Sequence, residues 1–344
     1  MLFTTNGMII LDDIHTISGE HYTDVLGGAG TYAILSSSMV KPGKSAWIVD
    51  RGSDFPEKVT HEINQWNSGA IFRDSKDRLT TRGANYYGAN DLRQFSYLTP
   101  KKQITAQDWI ETYGIENLKN INCFHLICSP GRVYEIFEKL SGIEELKECH
   151  PTYIWEPLPD SMIKDNYNMI KQLMNRNEHI LISPNSAEAA RLFGIEEPVE
   201  IDKCNILLKR FDNFMNQENS CILRCGKFGS ITLSSCNGVS ERQVNHLPAY
   251  HMLTQEQVID PTGGGNSFLG GFSMGYALTN NIDIGNICGT ITAGCNIEQV
   301  GPAKYDSISG KINNSKTFKE RLRYYIETFN LSLSLEDIQK KLQI

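Results

Sequence analysis

Short apolar runs alternate with amphipathic stretches along most of the chain. Runs such as HLIC and ILIS contain little but apolar residues, which is typical of strands buried on both faces of a parallel sheet. Between the runs lie amphipathic stretches such as GRVYEIFEKLSGIEEL and EAARLFG, which indicate helices. The pattern predicts strands at six places: residues 46–50, 122–128, 151–157, 179–185, 220–226 and 256–260. Strands that alternate with helices predict an α/β fold, with a mostly parallel central sheet flanked by helices.

The segments at residues 7–25 and 78–98 break this pattern because they are more polar and extended. We expect them to pair into a small sheet over the main one, either as a flap above an active site or as a dimer surface. After residue 330, a Ser-x-x-Asp capping pattern and a one-sided apolar stripe predict a packing helix within residues 331–344. Residues 1–330 are expected to form a single domain, because no repeat or low-complexity linker interrupts them.

Composition and charge narrow the range of functions. Hydrophobic residues make up 40% of the chain and charged residues 21%, as in soluble globular proteins. The net charge of −7 gives no basic surface that would favour nucleic acid, so no direct nucleic-acid partner is predicted. The N-terminal residues lack a charged n-region and a small-residue cleavage site, and no apolar run approaches the roughly 18 residues of a membrane span. We therefore expect neither a signal peptide nor a membrane anchor.

The nine cysteines are an odd number and include no C-x-x-C pair. Their spacings suit separate core thiols better than a disulfide framework or a zinc site. Reduced thiols of this kind predict a reducing compartment, and a cytoplasmic location is expected.

The stretch VIDPTGGGNSFLGG, residues 258–271, carries the strongest chemical signal. Gly263, Gly264 and Gly265 stand between a predicted strand and a predicted helix. The free N–H groups and the dipole at such a helix N-terminus can hold an anion. Asn266 comes next and would face that site, but its amide cannot accept a proton at neutral pH. The residues alone leave open whether this is a phosphate-handling catalytic site or the remains of one.

Three other motifs are ambiguous when each is taken alone. Gly27 and Gly28 precede a helix of small residues, which indicates either a ligand at a helix N-terminus or a tight turn before close packing. Asn185 and Glu188 follow a predicted strand, where they either cap the next helix or organise a hydrated Mg²⁺ through Glu188. For this pair the cap is the favoured interpretation. The two glycines of RCGKFGS lie in a turn between strands, which is either a nucleotide-contacting loop or a hairpin.

The order of these motifs resembles that of the ribokinase-like family of sugar and nucleoside kinases, also called PfkB carbohydrate kinases. The resemblance spans residues 6–305 and is strongest at DPTGGGNSF, which is similar to the family signature D-T-x-G-A-G-D-x-F. It includes the segments IILDDI, LGGAGTYA, SPNSAEAARLFG, RCGKFGS and AGCNIEQVGPA. The segments WEPLP, HLPAYH and GGGNSFLGG resemble in particular the fungal branch called maintenance-of-killer proteins.

The resemblance implies a ribokinase-like three-layer fold with a small β lid, and a site for ATP, Mg²⁺ and a small sugar or nucleoside. The phosphates of ATP are expected over four backbone amides: those of Gly263, Gly264, Gly265 and Asn266. Sugar hydroxyls are expected at three residues: Asp13, Gly27 and Gly28. Phosphate and metal are expected at Asn185 and Glu188, with Glu188 holding Mg²⁺ through water. Further nucleotide-side contacts are expected at six residues: Gly226, Gly229, Asp260, Thr262, Val300 and Gly301.

The chain departs from the family at Asn266, where the signature has the aspartate that takes the proton from the substrate hydroxyl. A positioned base contributes about 10² to 10⁴ in rate. Phosphoryl transfer depends mainly on positioning and charge neutralisation, so the loss of the base need not abolish it. Three interpretations remain open: a weak or residual kinase, a catalytically inactive pseudokinase that acts by binding, and a structural protein with an empty cleft. For the fungal branch, the resemblance implies a part in maintaining double-stranded RNA killer virus particles, a role that need not require catalysis.

Overall fold

The central element is a nine-stranded sheet in the order β13-β12-β11-β10-β9-β8-β1-β4-β5. The computed structural model describes residues 1–16, 19–87, 93–236 and 241–344. The strands of the main sheet are β1 (Phe3–Thr5), β4 (Ser45–Arg51), β5 (Ala70–Asp74), β8 (Cys123–Cys128), β9 (Thr152–Pro157), β10 (His179–Ile182), β11 (Ser220–Arg224), β12 (Ser230–Leu233) and β13 (Val244–Leu247). All neighbours are parallel except β11–β12 and β12–β13. The predicted α/β fold with a mostly parallel sheet is confirmed.

Helices cover both faces of this sheet. They are α1 (Ala29–Val40), α2 (Glu57–Gln65), α3 (Ala106–Tyr113), α4 (Ile115–Leu118), α5 (Pro130–Ser141), α6 (Tyr167–Leu173), α7 (Ser186–Phe193), α8 (Ile201–Lys209), α9 (Gly264–Thr279), α10 (Ile282–Asn296), α11 (Phe318–Phe329) and α12 (Leu335–Leu342). The core divides into two apolar clusters, one with α1, α2 and α9 to α12, the other with α3 to α8. Trp47 and Val49 of β4 belong to the first cluster, and Ala46 and Ile48 to the second. This alternation places a helical layer on each face.

A second sheet, here called the lid sheet, has four strands in the order β3-β2-β6-β7. Its strands are β2 (Ile10–His15), β3 (His21–Gly27), β6 (Arg82–Tyr87) and β7 (Arg93–Tyr97). They come from the two polar segments at 7–25 and 78–98, so the prediction that these segments pair with each other is confirmed. Residues 17–18 and 88–92 of those segments lie outside the described residues.

The strand expected at residues 256–260 is wrong. Gln255–Gln257 forms a 3₁₀ turn, and the N–H groups of Ile259 and Asp260 both donate to Ile297 O, at 2.8 and 3.2 Å. Ile259 is 60% exposed, so its β-branched side chain does not fill a sheet. The local preference for a strand is overridden because the backbone is bound to the end of α10.

The structure also shows the environment of the cysteines and the length of the helices. All nine cysteines are free and all but Cys149 are buried. None of the helices in the described part of the chain is long and apolar enough to cross a bilayer.

Candidate functional site

The N-terminus of α9 presents unpaired backbone donors. Gly263 has φ 76°, and the helix begins with Gly264 N–H donating to Pro261 O at 3.1 Å and Ser267 N–H donating to Gly263 O at 2.8 Å. Within the described residues, the N–H groups of Gly265 and Asn266 donate to no backbone carbonyl. Two free donors at the positive end of a 16-residue helix are an arrangement that can hold an anion, and this place is called the anion site below.

A hydrogen bond from the end of α10 fixes the turn that leads into α9. Asp260 Oδ1 accepts from the Thr262 N–H at 2.9 Å, and Asn296 Nδ2 donates to Thr262 O at 3.0 Å. Asp260 is 6% exposed. Asp260 and Thr262, expected as nucleotide contacts, therefore have the observed role of shaping the turn that presents Gly263 to Asn266.

A buried carboxylate, Glu156 at the end of β9, stands behind Asn266. Asn266 Nδ2 donates to Glu156 Oε2 at 2.8 Å, and His125 Nε2 lies 3.1 Å from the same oxygen. Arg224 Nη1 lies 2.9 Å from Glu156 Oε1. Thr5 Oγ1 contacts His125 Nδ1 at 3.0 Å, which extends the chain of hydrogen bonds back to β1.

The charge state of Glu156 follows from these neighbours. Burial acts to raise its pKa, but the Arg224 charge and the hydrogen bonds from His125 and Asn266 outweigh it and lower the pKa to about 2. Since an ionised carboxylate only accepts hydrogen bonds, the nitrogen of the Asn266 amide must face Glu156. The Asn266 oxygen is then the atom left for a substrate hydroxyl, which it could orient but not deprotonate.

Asn185 and Glu188 form the cap that the sequence favours. Asn185 Oδ1 accepts from the Glu188 N–H, and Glu188 Oε2 accepts from the Asn185 N–H, both at 2.8 Å. The pKa of Glu188 is raised, because the effect of burial outweighs the opposing effect of the nearby Arg224 charge. Glu188 Oε2 also lies 3.5 Å from Arg224 Nη2.

A hydrated Mg²⁺ on Glu188 does not fit this arrangement. The carboxylate is 3% exposed, one of its oxygens caps α7, and the same oxygen faces the Arg224 guanidinium. The described residues contain no group of three or more Asp, Glu, His or Cys side chains placed to hold a metal ion.

A cleft of about 340 Å³ adjoins the α9 N-terminus. Four residues expected as phosphate or nucleotide contacts line it: Gly226, Gly229, Gly264 and Gly265. Its walls also include Tyr250, Phe268 and the cations Arg224 and Lys227. This combination of apolar walls and cations suits a flat ring joined to an anion.

The turn after β11 is the hairpin that one interpretation of RCGKFGS predicted. Its residues Gly226–Phe228 form a 3₁₀ turn between the antiparallel strands β11 and β12. Gly229 has φ 90°, and a Cβ there would lie 2.0 Å from Leu247 O, so only glycine is accommodated. The same turn lines the cleft, so the hairpin and the nucleotide-loop interpretations are compatible.

Val300 and Gly301, also expected as nucleotide contacts, do not line this cleft. Helix α10 ends at Asn296, before both residues, and Val300 is 51% exposed. Gly301 packs beside the lid sheet, where a Cβ would lie 3.3 Å from Val25 Cγ1. Neither is among the residues that line the cleft in the described part of the chain.

The residues expected on the sugar side lie on and beside the lid sheet. Asp13 is in β2, and its buried Oδ1 has no hydrogen-bond partner among the described residues. A Cβ on Gly27 would lie 1.9 Å from Asp12 Oδ2, so glycine leaves room for a carboxylate that the sequence analysis did not single out. Gly28, with φ 86°, is the N-cap of α1.

Close packing of α1 on α9 brings the two glycine turns together. A Cβ on Gly270 would lie 2.0 Å from Ala33 O, so the helices touch backbone to backbone. A Cβ on Gly263 would lie 2.5 Å from the ring of Tyr32. The Gly27–Gly28 turn therefore opens at the same end of the helical layer as the anion site.

Comparison with known proteins gives the family. No family model matches the chain. It is 47% identical over 353 residues to Protein MAK32 of Saccharomyces cerevisiae, an alignment that covers 99% of the chain and 96% of that protein. The chain belongs to the maintenance-of-killer branch of the ribokinase-like family. The recognition made from the motifs is therefore confirmed.

Solved ribokinases share the fold of this maintenance-of-killer branch member at low sequence identity. A ribokinase from Giardia lamblia superposes with a TM-score of 0.68 at 14% identity, covering 95% of this chain and 99% of that one. A ribokinase from Cryptococcus neoformans in complex with ADP gives 0.60 at 14% identity, covering 88% and 95%. These likenesses establish the ribokinase-like architecture.

Sequence reasoning missed the buried members of the site in this ribokinase-like chain. Glu156, His125 and Arg224 were not singled out, although each lies in or ends a strand of the central sheet. A charged residue at the carboxyl end of a buried parallel strand was the available signal, because α/β proteins place their ligand sites there.

Proposed function

We propose that the protein binds ATP in the cleft beside α9 and a sugar- or nucleoside-like molecule near the lid sheet, with at most slow phosphoryl transfer between them. The observation that carries this proposal is the anion site, where the Gly265 and Asn266 N–H groups are free and the cleft adjoins them. The ribokinase solved with ADP supports the nucleotide assignment, because it shares the fold.

Slow transfer follows from the absence of a proton acceptor at the reacting position. Asn266 is an amide, and Glu156 behind it is 5% exposed with a pKa of about 2. A carboxyl with so low a pKa has little tendency to accept a proton at neutral pH. The acceptor is then water or Asp13, and we expect a rate about 10² to 10⁴ below that of an enzyme with a positioned base.

The second candidate is a pseudokinase that acts by binding, including a role in maintaining killer virus particles through a protein partner. The network of Asn266, Glu156 and His125 favours it, because Glu156 Oε2 already accepts from the Asn266 amide and contacts His125, so this carboxylate oxygen is not placed to take a proton from a substrate. Free, mostly buried thiols support our further proposal that the protein works in the reducing cytoplasm.

Calorimetric titration with a non-hydrolysable ATP analogue, with and without a panel of sugars and nucleosides, tests the function. We expect nucleotide binding that one member of the panel strengthens, because a ternary site couples its two ligands. Nucleotide binding without coupling to any member would favour the pseudokinase. No nucleotide binding would refute the proposed ATP site. In a separate assay with ATP itself, turnover at the rate of an ordinary sugar kinase would refute the assignment of Asn266 as a defect.

A further inference from the structure

Arg224 occupies the space between two buried carboxylates at the anion site. Its Nη1 lies 2.9 Å from Glu156 Oε1, and its Nη2 lies 3.5 Å from Glu188 Oε2 and 3.0 Å from Ser183 O. The arginine side chain is only 12% exposed. Strand β11 ends at this residue, so the position of the guanidinium is fixed by the central sheet.

The guanidinium also reaches the turn that presents the free N–H groups. A Cβ on Gly265 would lie 2.1 Å from Arg224 Nη1, so the cation lies directly against the backbone of the anion site. Arg224 Nε is buried and has no hydrogen-bond partner among the described residues. A buried cationic donor without an acceptor is costly, and an oxygen of a bound phosphate would satisfy it.

The charges around Arg224 differ from those of a site that binds a divalent metal ion. Two carboxylates beside a phosphate would ordinarily need a divalent ion to offset their repulsion. Here a fixed positive charge lies between them, and Asn266 adds no charge. The place that a divalent ion would take is therefore filled by a side chain of the protein.

We propose that Arg224 is the resident cation of the phosphate site, and that the protein binds nucleoside polyphosphates without Mg²⁺. This inference rests on the proposed function, because it concerns how the same nucleotide is held. Guanidinium groups form strong, charge-assisted hydrogen bonds to phosphate oxygens, and the Arg224 Nε, which lacks a partner among the described residues, supplies the donor that the role requires.

The test compares binding of the non-hydrolysable ATP analogue in EDTA and in Mg²⁺, for the full chain. The wild-type protein should bind with affinities that agree within about threefold in the two buffers. The Arg224→Gln variant should bind at least about tenfold more weakly in EDTA, and Mg²⁺ should restore part of the loss, because the metal regains access to Glu188.

Two further variants keep the test interpretable. Arg224→Gln leaves Glu156 and Glu188 without their cation, which can unfold the protein, so Arg224→Gln/Glu156→Gln removes one of the uncompensated charges. The double variant should fold and show the same dependence on Mg²⁺. Lys227→Gln is the matched control: it removes a cation from the rim of the cleft and should change both affinities by the same factor.

Wild-type binding that requires Mg²⁺ would overturn the inference and leave the proposed nucleotide function intact. Unchanged affinity of both Arg224 variants in EDTA would also overturn it. Absence of binding in both buffers would instead overturn the proposed function itself.

Discussion

At the scale of single residues, the contact between Asn266 and Glu156 determines what a change at the base position can achieve. A carboxylate placed at position 266 would lie where the amide now donates to Glu156 at 2.8 Å. Two carboxylates at that distance cannot both be ionised, so one pKa rises and the pair holds a proton. Only one of the two positions, 156 and 266, can therefore hold an ionised carboxylate.

This coupling predicts that Asn266→Asp alone gains little phosphoryl transfer, whereas Asn266→Asp/Glu156→Gln gains about 10²-fold or more. The introduced glutamine can donate to the introduced carboxylate, and the two side chains together keep the single negative charge that Glu156 carries now. Single-turnover transfer of a labelled phosphoryl group from ATP, across a substrate panel, measures the gain. Glu156→Gln alone is the control and should gain nothing. A full gain in the single Asn266→Asp variant would show that the two positions are independent.

The same scale explains why the site could be predicted only in part. The glycine turns and the Asn185–Glu188 pair are contiguous in sequence, so their roles as turn and cap could be inferred locally. Glu156 and Asn266 are 110 residues apart. Only the packing of α9 against β9 brings them together, and neither charge nor spacing in the sequence indicates that contact.

At the scale of elements, continuous apolar runs predicted the buried strands of the main sheet, whereas β-branched residues alone did not predict a strand at residues 256–260. Strands β8 to β11 are continuous apolar runs because both their faces are covered, and the sequence shows this directly. Residues 256–260 have β-branched side chains too, but their backbone donors bind Ile297 O. A strand forms only where a neighbouring strand offers unpaired backbone N–H and C=O groups. The composition of a segment does not show whether such a neighbour exists.

Glu298 ties α10 to α11 and predicts an acid dependence of stability. Its oxygens lie 2.6 and 2.9 Å from the guanidinium of Arg321, and Asn313 Nδ2 donates to it at 2.8 Å. Burial acts to raise the pKa of Glu298, but contacts with His251, Arg321 and Asn313 lower it to about 2. A lowered carboxyl pKa stabilises the fold above the unfolded value of 4.5, and this is lost as pH falls towards 2.

We therefore expect Glu298→Gln to lower the free energy of unfolding by about 2 kcal/mol at neutral pH and by less near about pH 3. Urea unfolding across that pH range measures the difference. Glu327→Gln, on the exposed face of α11, is the matched control and should change stability by less than about 0.5 kcal/mol at either pH. A constant difference between Glu298→Gln and wild type at all pH values would contradict the linkage.

At the scale of the whole molecule, the lid sheet carries an exposed aromatic surface. Among the described residues it exposes four aromatic side chains, each more than 40% accessible: Tyr22, Tyr86, Phe95 and Tyr97. Phe95 and Tyr97 contact each other edge to face at 4.9 Å and form a compact apolar surface. Exposed apolar surfaces of this kind often mark interfaces, so we expect the protein to form a homodimer through the lid.

Measurements at several protein concentrations distinguish a dimer surface from a flap over the substrate. If the lid joins two copies, sedimentation should show a dimer, and amide exchange in β6 and β7 should slow as protein concentration rises, with or without ligand. Phe95→Ser/Tyr97→Ser should give a monomer with unchanged nucleotide affinity, because neither side chain is among the described residues that line the cleft. A lid that only closes over substrate would instead be protected by ligand at any protein concentration. Monomeric wild-type protein with ligand-dependent protection would therefore assign the lid to substrate closure.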